Sequence, residues 1–203
     1  MNKVYIYGAG GHGIVVAETA VALGYMVAGL VDDDAALAGK TILGWRVLGD
    51  RGCIPEGADV FLGVGQNATR ARLLEFAESA GWGLPVLIHP SAVISPSAVL
   101  GPGTVVMAQV AVNARARIGR ACILSVGCSV SHDCLLGDVV QVAPGARFCG
   151  GVTVGKYSLI GAGSCIRPFT NVGSECIIGM GSVVVSDVPD ATTAFGNPAR
   201  SRE

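Results

Sequence analysis

The sequence predicts an α/β domain over residues 1–85, followed by a parallel β-helix over residues 86–203. Two observations support this fold class. An apolar residue returns every six residues through the second half of the chain, and a glycine-rich turn separates a strand pattern from a helix pattern near the N-terminus. A six-residue period is typical of β-helices in which each hexad forms one short strand and one turn, so that three hexads complete one coil.

The N-terminal part lacks the six-residue period and alternates between strand and helix patterns. Short apolar runs predict strands over residues 4–7, 26–31 and 59–64, and helical spacing of apolar residues predicts helices over 14–23 and 68–79. Strands that alternate with helices pair in parallel, because each helix carries the chain back across the sheet. We therefore expect a small parallel sheet, docked on the β-helix without a flexible linker.

The turn Gly8–Gly13 has the pattern Gly-x-Gly-x-x-Gly between the first strand and the first helix, and Asp32 ends the second strand. This is the dinucleotide fingerprint in its required context. Residues 1–85 suffice for only one mononucleotide half, so we expect a Rossmann-like half domain that binds one nucleotide or nucleotide-sugar, with the phosphate at the helix N-terminus. Two alternatives stay open: a tight turn without a ligand, and His12 as a cap of its own turn rather than a phosphate contact.

The six-residue repeat runs without a slip from Ile88 to Val184, and Phe148 is the only one of its seventeen apolar positions that is not aliphatic. The residue four positions after each apolar residue is small or β-branched. Cysteines occupy several of these small positions, and we expect them to be buried and reduced: Cys122, Cys128, Cys134 and Cys176. Their spacing contains no Cys-x-x-Cys pair, so it does not support a zinc site.

Composition argues against several classes of function. The formal net charge is −1 and the sequence has no basic stripe, so we expect no nucleic-acid partner. It contains no run of the ~18 apolar residues that a membrane span requires, so no membrane partner is expected. The N-terminus begins directly with a strand pattern rather than a signal peptide, which favours a cytoplasmic protein.

His132 is the only histidine in the repeat after His89, and it lies in the turn of its hexad. Asp133 follows it and Asp138 is near in sequence; a carboxylate can orient an imidazole and raise its basicity. These residues indicate a general base that works near neutral pH. The alternative is an incidental surface histidine. A metal site is not expected, because the chain has only three histidines.

Several segments together resemble the sialic acid O-acetyltransferase-like group of hexapeptide-repeat acyltransferases. This group includes the nucleotide-sugar N-acetyltransferases that act on 4-amino-4,6-dideoxy sugars, such as the bacillosamine- and perosamine-type enzymes. The matching segments span nearly the whole chain in order: 4–13, 30–33, 63–67, 88–92, 129–134 and 196–199. The resemblance implies a left-handed β-helix, acetyl-CoA as co-substrate, and a homotrimer whose active site lies between neighbouring β-helices.

The resemblance also implies roles for individual residues of the β-helix. His132 would be the general base and Asp133 its supporting acid, although the bacillosamine-type relatives have a glutamate there. The Gly150 N–H would contact the thioester oxygen, and Ala162 and Met180 would line the coenzyme A arm. Gln141 falls near the acetyl group, where some relatives have a second histidine.

For the N-terminal domain, the resemblance implies a binding site for the nucleotide-sugar. The residues that match this site are Gly11, His12, Asp32, Asp33, Gly65 and Asn67. Which base the site prefers, and the stereochemistry of the sugar, stay open at this point.

The predicted function is acetyl-CoA-dependent N-acetylation of the 4-amino group of a nucleotide-linked 4-amino-4,6-dideoxy sugar. The amine attacks directly, without a covalent acetyl-enzyme. The nearest alternative is an O-acetyltransferase that acts on a sialic-acid-type sugar. An alternative of another class is a nucleotide- or NAD-binding module whose β-helix only forms trimers, and a further one is a metal-dependent hydratase.

Overall fold

The computed structural model describes residues 2–201, and its N-terminal part is a three-layer α/β/α domain. The regular elements of this domain are β1 (Lys3–Tyr7), α1 (Gly11–Ala22), β2 (Met26–Val31), β3 (Thr41–Ile42), β4 (Trp45–Arg46), β5 (Asp59–Leu62) and α2 (Asn67–Ser79). Strands β2, β1 and β5 form a parallel sheet in that order, and β3 pairs with β4 in an antiparallel hairpin. The predicted parallel sheet is thereby confirmed.

Two details of this domain differ from the prediction. Helix α1 begins at Gly11, three residues before the predicted start at residue 14. The apolar period that marks the helix starts only at Ile14, whereas the glycine turn already has helical backbone before it. The β3–β4 hairpin was not predicted, because two-residue strands are too short to show a period.

The sheet is buried on both faces, as alternate residues of β1 show. On one face, Val4 and Ile6 pack against α1, where Val16 is one of the contacts. On the other face, Tyr5 and Tyr7 pack against residues of α2. Successive side chains of a strand point to opposite faces, so a strand covered by helices on both sides is apolar throughout. Because helices pack on both faces of the sheet, the turns that follow β1, β2 and β5 have fixed positions.

The second half of the chain is a parallel β-helix of two-residue strands. They are β6 (Leu87–Ile88), β7 (Val93–Ile94), β8 (Val99–Leu100), β9 (Val105–Val106), β10 (Ala111–Val112), β11 (Arg117–Ile118), β12 (Ile123–Leu124), β13 (Ser129–Val130), β14 (Leu135–Leu136), β15 (Gln141–Val142), β16 (Arg147–Phe148), β17 (Thr153–Val154), β18 (Leu159–Ile160), β19 (Cys165–Ile166), β20 (Asn171–Val172), β21 (Ile177–Ile178) and β22 (Val183–Val184). The last strands of the described residues are β23 (Thr193–Gly196), parallel to β21, and β24 (Ala199–Ser201), antiparallel to β23.

These strands form three parallel sheets, which are the faces of a three-sided prism. Face A consists of β7, β10, β13, β16, β19 and β22; face B of β8, β11, β14, β17 and β20; face C contains the remaining strands from β6 onward. From β6 to β19, each strand pairs with the strand 18 residues further on, as Val112 does with Val130. We call the turns between the faces edge AB, edge BC and edge CA.

The predicted interior of the β-helix is confirmed. Fourteen of the seventeen repeat positions are buried, and the other three lie at the N-terminal end, partly buried against the same core. The four cysteines at the small positions are buried as well. Burial raises the pKa of the Cys122 and Cys128 thiols to about 12, which keeps them protonated and unreactive near neutral pH.

The N-terminal domain packs on face C and on edge BC. Leu87, Val105 and Ile123 of face C belong to one of its cores. On edge BC, Arg70 of α2 donates to main-chain carbonyls of the β-helix. Edge AB lies on the side of the prism opposite face C. No helix within residues 2–201 is long and apolar enough to cross a membrane.

Candidate active site

His132 and Asp133 lie on edge AB, in the turn that follows β13. The imidazole Nδ1 of His132 is 2.7 Å from Oδ2 of Asp133. Asp133 has a φ of 59°, in the left-handed region that aspartate tolerates better than most residues. The turn therefore brings the two adjacent side chains to the same side of the edge.

The Asp133 carboxylate also accepts hydrogen bonds from Arg115, one coil earlier on the same edge. Arg115 Nε is 2.6 Å from Oδ1 and Nη2 is 2.8 Å from Oδ2. Hydrogen bonds from Arg115 and then from His132 lower the pKa of Asp133 to about 2. An ionised carboxylate only accepts hydrogen bonds, so Nδ1 of His132 must be the donor. In the neutral imidazole, this leaves the lone pair on Nε2 available to accept a proton.

Gly150 supports the other side of the imidazole. A Cβ built on Gly150 would lie 2.5 Å from Cε1 and 2.6 Å from Nε2 of His132. The ring therefore rests on a position that only glycine can occupy without moving it. Within residues 2–201, the Gly150 N–H donates no hydrogen bond, so it is available to an incoming oxygen.

Replacing Gly150 with alanine should reduce turnover by about 10²-fold, because the new methyl group displaces the His132 ring. The Gly150 backbone is not in the left-handed region, so alanine adds no backbone strain there. We therefore expect the melting temperature to change little. Steady-state kinetics and thermal unfolding of the same preparation measure both effects, and full turnover in this variant would exclude the role of ring placement.

In the N-terminal domain, the glycine-rich turn is packed against the turn after β5. A Cβ on Gly13 would collide with the Gly8 carbonyl oxygen, and one on Gly63 would lie 2.6 Å from the Gly13 Cα. A Cβ on Gly10 or Gly11 would meet nothing within 4 Å. The turn is thus tight on the protein side and open on the other. The open side carries the first N–H groups of α1, which have no partners within the helix and favour an anion.

Asp32 and Asp33 follow β2 next to this turn, and both make contacts within the protein. Asp32 Oδ2 accepts from the Ala9 N–H at 2.8 Å, so the carboxylate fixes the glycine turn. Asp33 forms an ion pair with Arg51. Hydrogen bonding to Arg51 lowers the pKa of Asp33 against the opposing effect of burial. The predicted contact of these two carboxylates with a nucleotide-sugar stays a prediction.

His12 lies at the start of α1 and is mostly buried. Its Nε2 is buried without a hydrogen-bond partner in residues 2–201. Burial, together with the charge of Arg70, lowers the pKa of His12 to about 4. The imidazole is therefore neutral near pH 7, and its buried Nε2 is left without a partner in the described residues. His12 is the second residue of α1, and within residues 2–201 no side-chain hydrogen bond caps this end of the helix.

The low pKa of His12 makes the protein less stable in mild acid. In the unfolded chain this histidine binds a proton near its ordinary pKa of 6.5, whereas the folded protein resists protonation until about pH 4. Unfolding free energy should therefore fall as pH drops from 6.5 to 4, by up to about 3 kcal/mol. Chemical denaturation at several pH values measures this slope. His12→Gln should flatten it, and an identical slope in that variant would contradict the assignment.

A cleft of about 560 Å³ separates the start of α2 from the outer surface of face C. Gln66 and Asn67 line it from the N-terminal domain, while Gln141, Tyr157 and Ile177 line it from the β-helix. Two of the predicted site residues, Asn67 and Gln141, therefore meet here. Asn67 also donates to the carbonyl oxygen of Tyr157 at 2.9 Å, which fixes this end of the cleft. The sequence did not indicate the cleft, because its walls are far apart in the chain.

The predicted residues of the coenzyme A site lie on different edges of the same prism. Gly150 is on edge AB beside His132. Ala162 and Met180 are stacked one coil apart on edge CA, where the Gly181 N–H donates to the Ala162 carbonyl, and Met180 is 80% exposed. One copy of the chain therefore does not bring all of them together.

Sequence reasoning did not find the structural roles of two arginines of these sites. Arg70, whose guanidinium is buried, donates to the Gly65 carbonyl and to the Asn67 side chain. Arg115 holds Asp133. Each contacts its partner through tertiary packing, and the only available signal was the 18-residue spacing from Arg115 to Asp133, which is one coil. In the described part of the chain, no three His, Cys, Asp or Glu side chains form a group that could hold a metal.

Two family models match the chain in the regions described above. The PglD N-terminal domain matches residues 3–76, which contain the glycine turn, helix α1 and most of helix α2. The bacterial transferase hexapeptide model, of six repeats, matches residues 133–168 of the β-helix.

Solved structures match the chain over its whole length. The acetyltransferase domain of PglB from Neisseria gonorrhoeae in complex with acetyl coenzyme A is 41% identical, with a TM-score of 0.93 and coverage of 100% of both chains. A single-residue variant of GDP-perosamine N-acetyltransferase from Caulobacter crescentus, in complex with CoA and GDP-perosamine, is 39% identical. Its TM-score is 0.95, over 100% of this chain and 98% of that one.

Curated relatives match a shorter region. The acyl-[acyl-carrier-protein]–UDP-N-acetylglucosamine O-acyltransferase of Aliivibrio fischeri (strain MJ11) is 39% identical over 75 residues, which are 37% of this chain and 29% of that protein. The chain thus spans less than a third of the length of the curated relatives it matches. The full-length matches, together with the two domain types, show that the chain belongs to the nucleotide-sugar N-acetyltransferases of the hexapeptide-repeat acyltransferase superfamily.

Proposed function

We propose that the protein transfers the acetyl group of acetyl-CoA to the 4-amino group of a nucleotide-linked 4-amino-4,6-dideoxy sugar. The observation that carries this proposal is the His132–Asp133 pair. An ionised Asp133 holds the Nδ1–H side of the imidazole, so that Nε2 is left with a free lone pair to act as a base. The acetyl-CoA and GDP-perosamine complexes of the relatives supply the precedent for both substrates.

The proposed reaction needs one base and one hydrogen-bond donor. The amine nitrogen attacks the thioester carbonyl carbon while Nε2 of His132 takes a proton from that nitrogen. The carbonyl oxygen becomes negative and accepts a hydrogen bond from the Gly150 N–H. The carbon–sulfur bond then breaks, and the proton on His132 passes to the departing thiolate of coenzyme A. No covalent acetyl-enzyme is needed, and the buried cysteines of the interior do not take part.

The nucleotide-sugar would bind in the N-terminal domain. The open side of the turn at Gly10 and Gly11 suits its diphosphate, and His12 would contribute next to them from the first turn of α1. Asn67 lines the cleft beside α2, where the sugar would extend along face C, and Gly65 lies two residues before it in the same loop. Asp32 and Asp33 would contribute from the end of β2.

We also propose that the working enzyme is a homotrimer. The glycine turn belongs to the domain on face C and edge BC, whereas His132 lies on edge AB, on the other side of the same β-helix. A nucleotide-sugar held by one copy therefore reaches the His132 of a neighbouring copy more readily than its own. The same division places Gly150 and Ala162 on different edges, so two copies together would supply the coenzyme A groove. The seven free thiols suit the reducing cytoplasm as the location.

The test is an acetyl-transfer assay with acetyl-CoA and a panel of UDP-, GDP- and dTDP-linked 4-amino-4,6-dideoxy sugars, followed by release of the coenzyme A thiol. Release with one amino sugar and none with its 4-hydroxy counterpart would support N-acetylation and identify the base. Release only with a sialic-acid-type hydroxyl acceptor would replace the proposal with O-acetylation. If no acceptor releases thiol while NAD(H) binds, the proposal fails and the chain is a nucleotide-binding module.

A further inference from the structure

We propose that Arg115 is a positioning residue for the general base, which holds the Asp133 carboxylate in the orientation that fixes the His132 ring. The inference rests on the proposed role of His132. Arg115 does not touch the imidazole and acts only through Asp133.

The geometry of the pair supports this role. Arg115 and Asp133 occupy equivalent turn positions one coil apart on edge AB, with φ angles of 60° and 59°. The Nε and Nη2 atoms of Arg115 contact the two different oxygens of Asp133, at 2.6 and 2.8 Å. Such a two-point contact fixes the plane of the carboxylate, which a single hydrogen bond does not. Oδ2 is then shared between Arg115 and Nδ1 of His132.

Asp133 requires this constraint because it is short and exposed. Its side chain is 41% exposed, and the turn places it next to solvent rather than in a packed pocket. Without Arg115, rotation of the carboxylate would break its hydrogen bond to Nδ1. An exposed ion pair adds little to folding stability, so orientation of the dyad is the effect that such a pair can have here.

A second arginine–aspartate pair in the chain shows how the positioning role of Arg115 differs from an ion pair that only joins successive coils. Arg120 and Asp138 also lie 18 residues apart and form an ion pair, on edge BC. That pair has a structural role, since Arg120 also contacts Glu78 of the N-terminal domain. The pair of Arg115 and Asp133 differs in that its carboxylate continues to an imidazole.

The first experiment needs no substrate. NMR of ¹⁵N-histidine-labelled protein near neutral pH reports which imidazole nitrogen carries the proton, and the chain has only three histidines. The His132→Ala variant identifies the His132 signals. We expect the Nδ1–H tautomer in the wild type and a mixture of the two tautomers in Arg115→Gln. An unchanged tautomer in Arg115→Gln would overturn the inference.

The second experiment is a double-mutant cycle on turnover. Arg115→Gln should lower kcat on the order of tenfold, a part of the ~10²–10⁴-fold that general-base help supplies. Combined with Asp133→Asn, it should cause no further loss, because Arg115 acts through that carboxylate. Arg117→Gln, on the outer surface of face B, is the matched control and should keep wild-type kcat. Full activity of Arg115→Gln, or additive losses in the double variant, would reject the inference.

The two experiments also separate this inference from the proposed function. A tautomer change in a protein that acetylates no acceptor would keep the positioning role of Arg115 and reject only the proposed function. Acetyl transfer with an unchanged tautomer and unchanged kcat in Arg115→Gln would do the reverse.

Discussion

Replacing His132 with alanine should lower turnover at least ~10²-fold, because the acetyl-transfer step then loses its general base. The imidazole is held by Asp133 on one side and by Gly150 on the other, so its Nε2 has a defined position. Removal of a group that acts only in the transition state should lower kcat and kcat/KM by the same factor. Steady-state kinetics with saturating acetyl-CoA measure both.

His89→Ala is the matched control for this prediction. His89 is the other histidine of the β-helix, but it lies on edge CA and bonds to the neighbouring Ser91 hydroxyl. The control should keep wild-type turnover, and both variants should elute at the wild-type size in gel filtration. Turnover of His132→Ala within a few fold of the wild type would remove His132 from the mechanism.

Replacing Arg70 with methionine should destabilise the protein by at least about 2 kcal/mol, because the substitution leaves buried carbonyl groups without donors. Arg70 is only 1% exposed. Its five guanidinium hydrogens match five hydrogen bonds: to Ala121 and Val139 on edge BC, to Val64 and Gly65 before α2, and to the Asn67 side chain. Burial lowers the pKa of Arg70 to about 10, so it stays charged near neutral pH although none of these five acceptors is a carboxylate.

Chemical denaturation measures the loss, and Arg72→Met is the matched control. Arg72 lies on the same helix with its side chain exposed, and its replacement should change stability by less than about 0.5 kcal/mol. Arg70→Lys should behave like Arg70→Met, because an ammonium group cannot reproduce the planar fork. Wild-type stability in Arg70→Met would show that the two domains dock without this residue.

Arg70 also links the docking of the two domains to the proposed nucleotide-sugar site. It bonds the loop that contains Gly65 and Asn67, and its charge contributes to the low pKa of His12. The interface with the β-helix therefore sets the position of residues that the resemblance assigns to substrate binding. No local pattern in the sequence indicates this, since Arg70 looks like any arginine on a helix.

The candidate catalytic edge was partly predictable from the sequence. His132 and Asp133 are adjacent in a turn that the six-residue period locates, so their proximity follows from local structure. Gly150 lies 18 residues, or one coil, after His132, so its position beneath the His132 imidazole follows from the same period. The two hydrogen bonds from Arg115 to the Asp133 carboxylate depend on side-chain rotamers, which the period does not specify.

The sequence by itself determined the two folds and their cores. Continuous apolar runs, helical spacing and the six-residue period decide which side chains are buried, because burial of apolar surface is the dominant driving force for folding. Only the tertiary structure decided how the two halves meet. It placed the glycine-rich turn and His132 on opposite sides of the β-helix, and Arg70 and Asn67 form hydrogen bonds between the two domains. Such contacts join residues far apart in the chain, and their hydrogen bonds depend on three-dimensional geometry that leaves no period in the sequence.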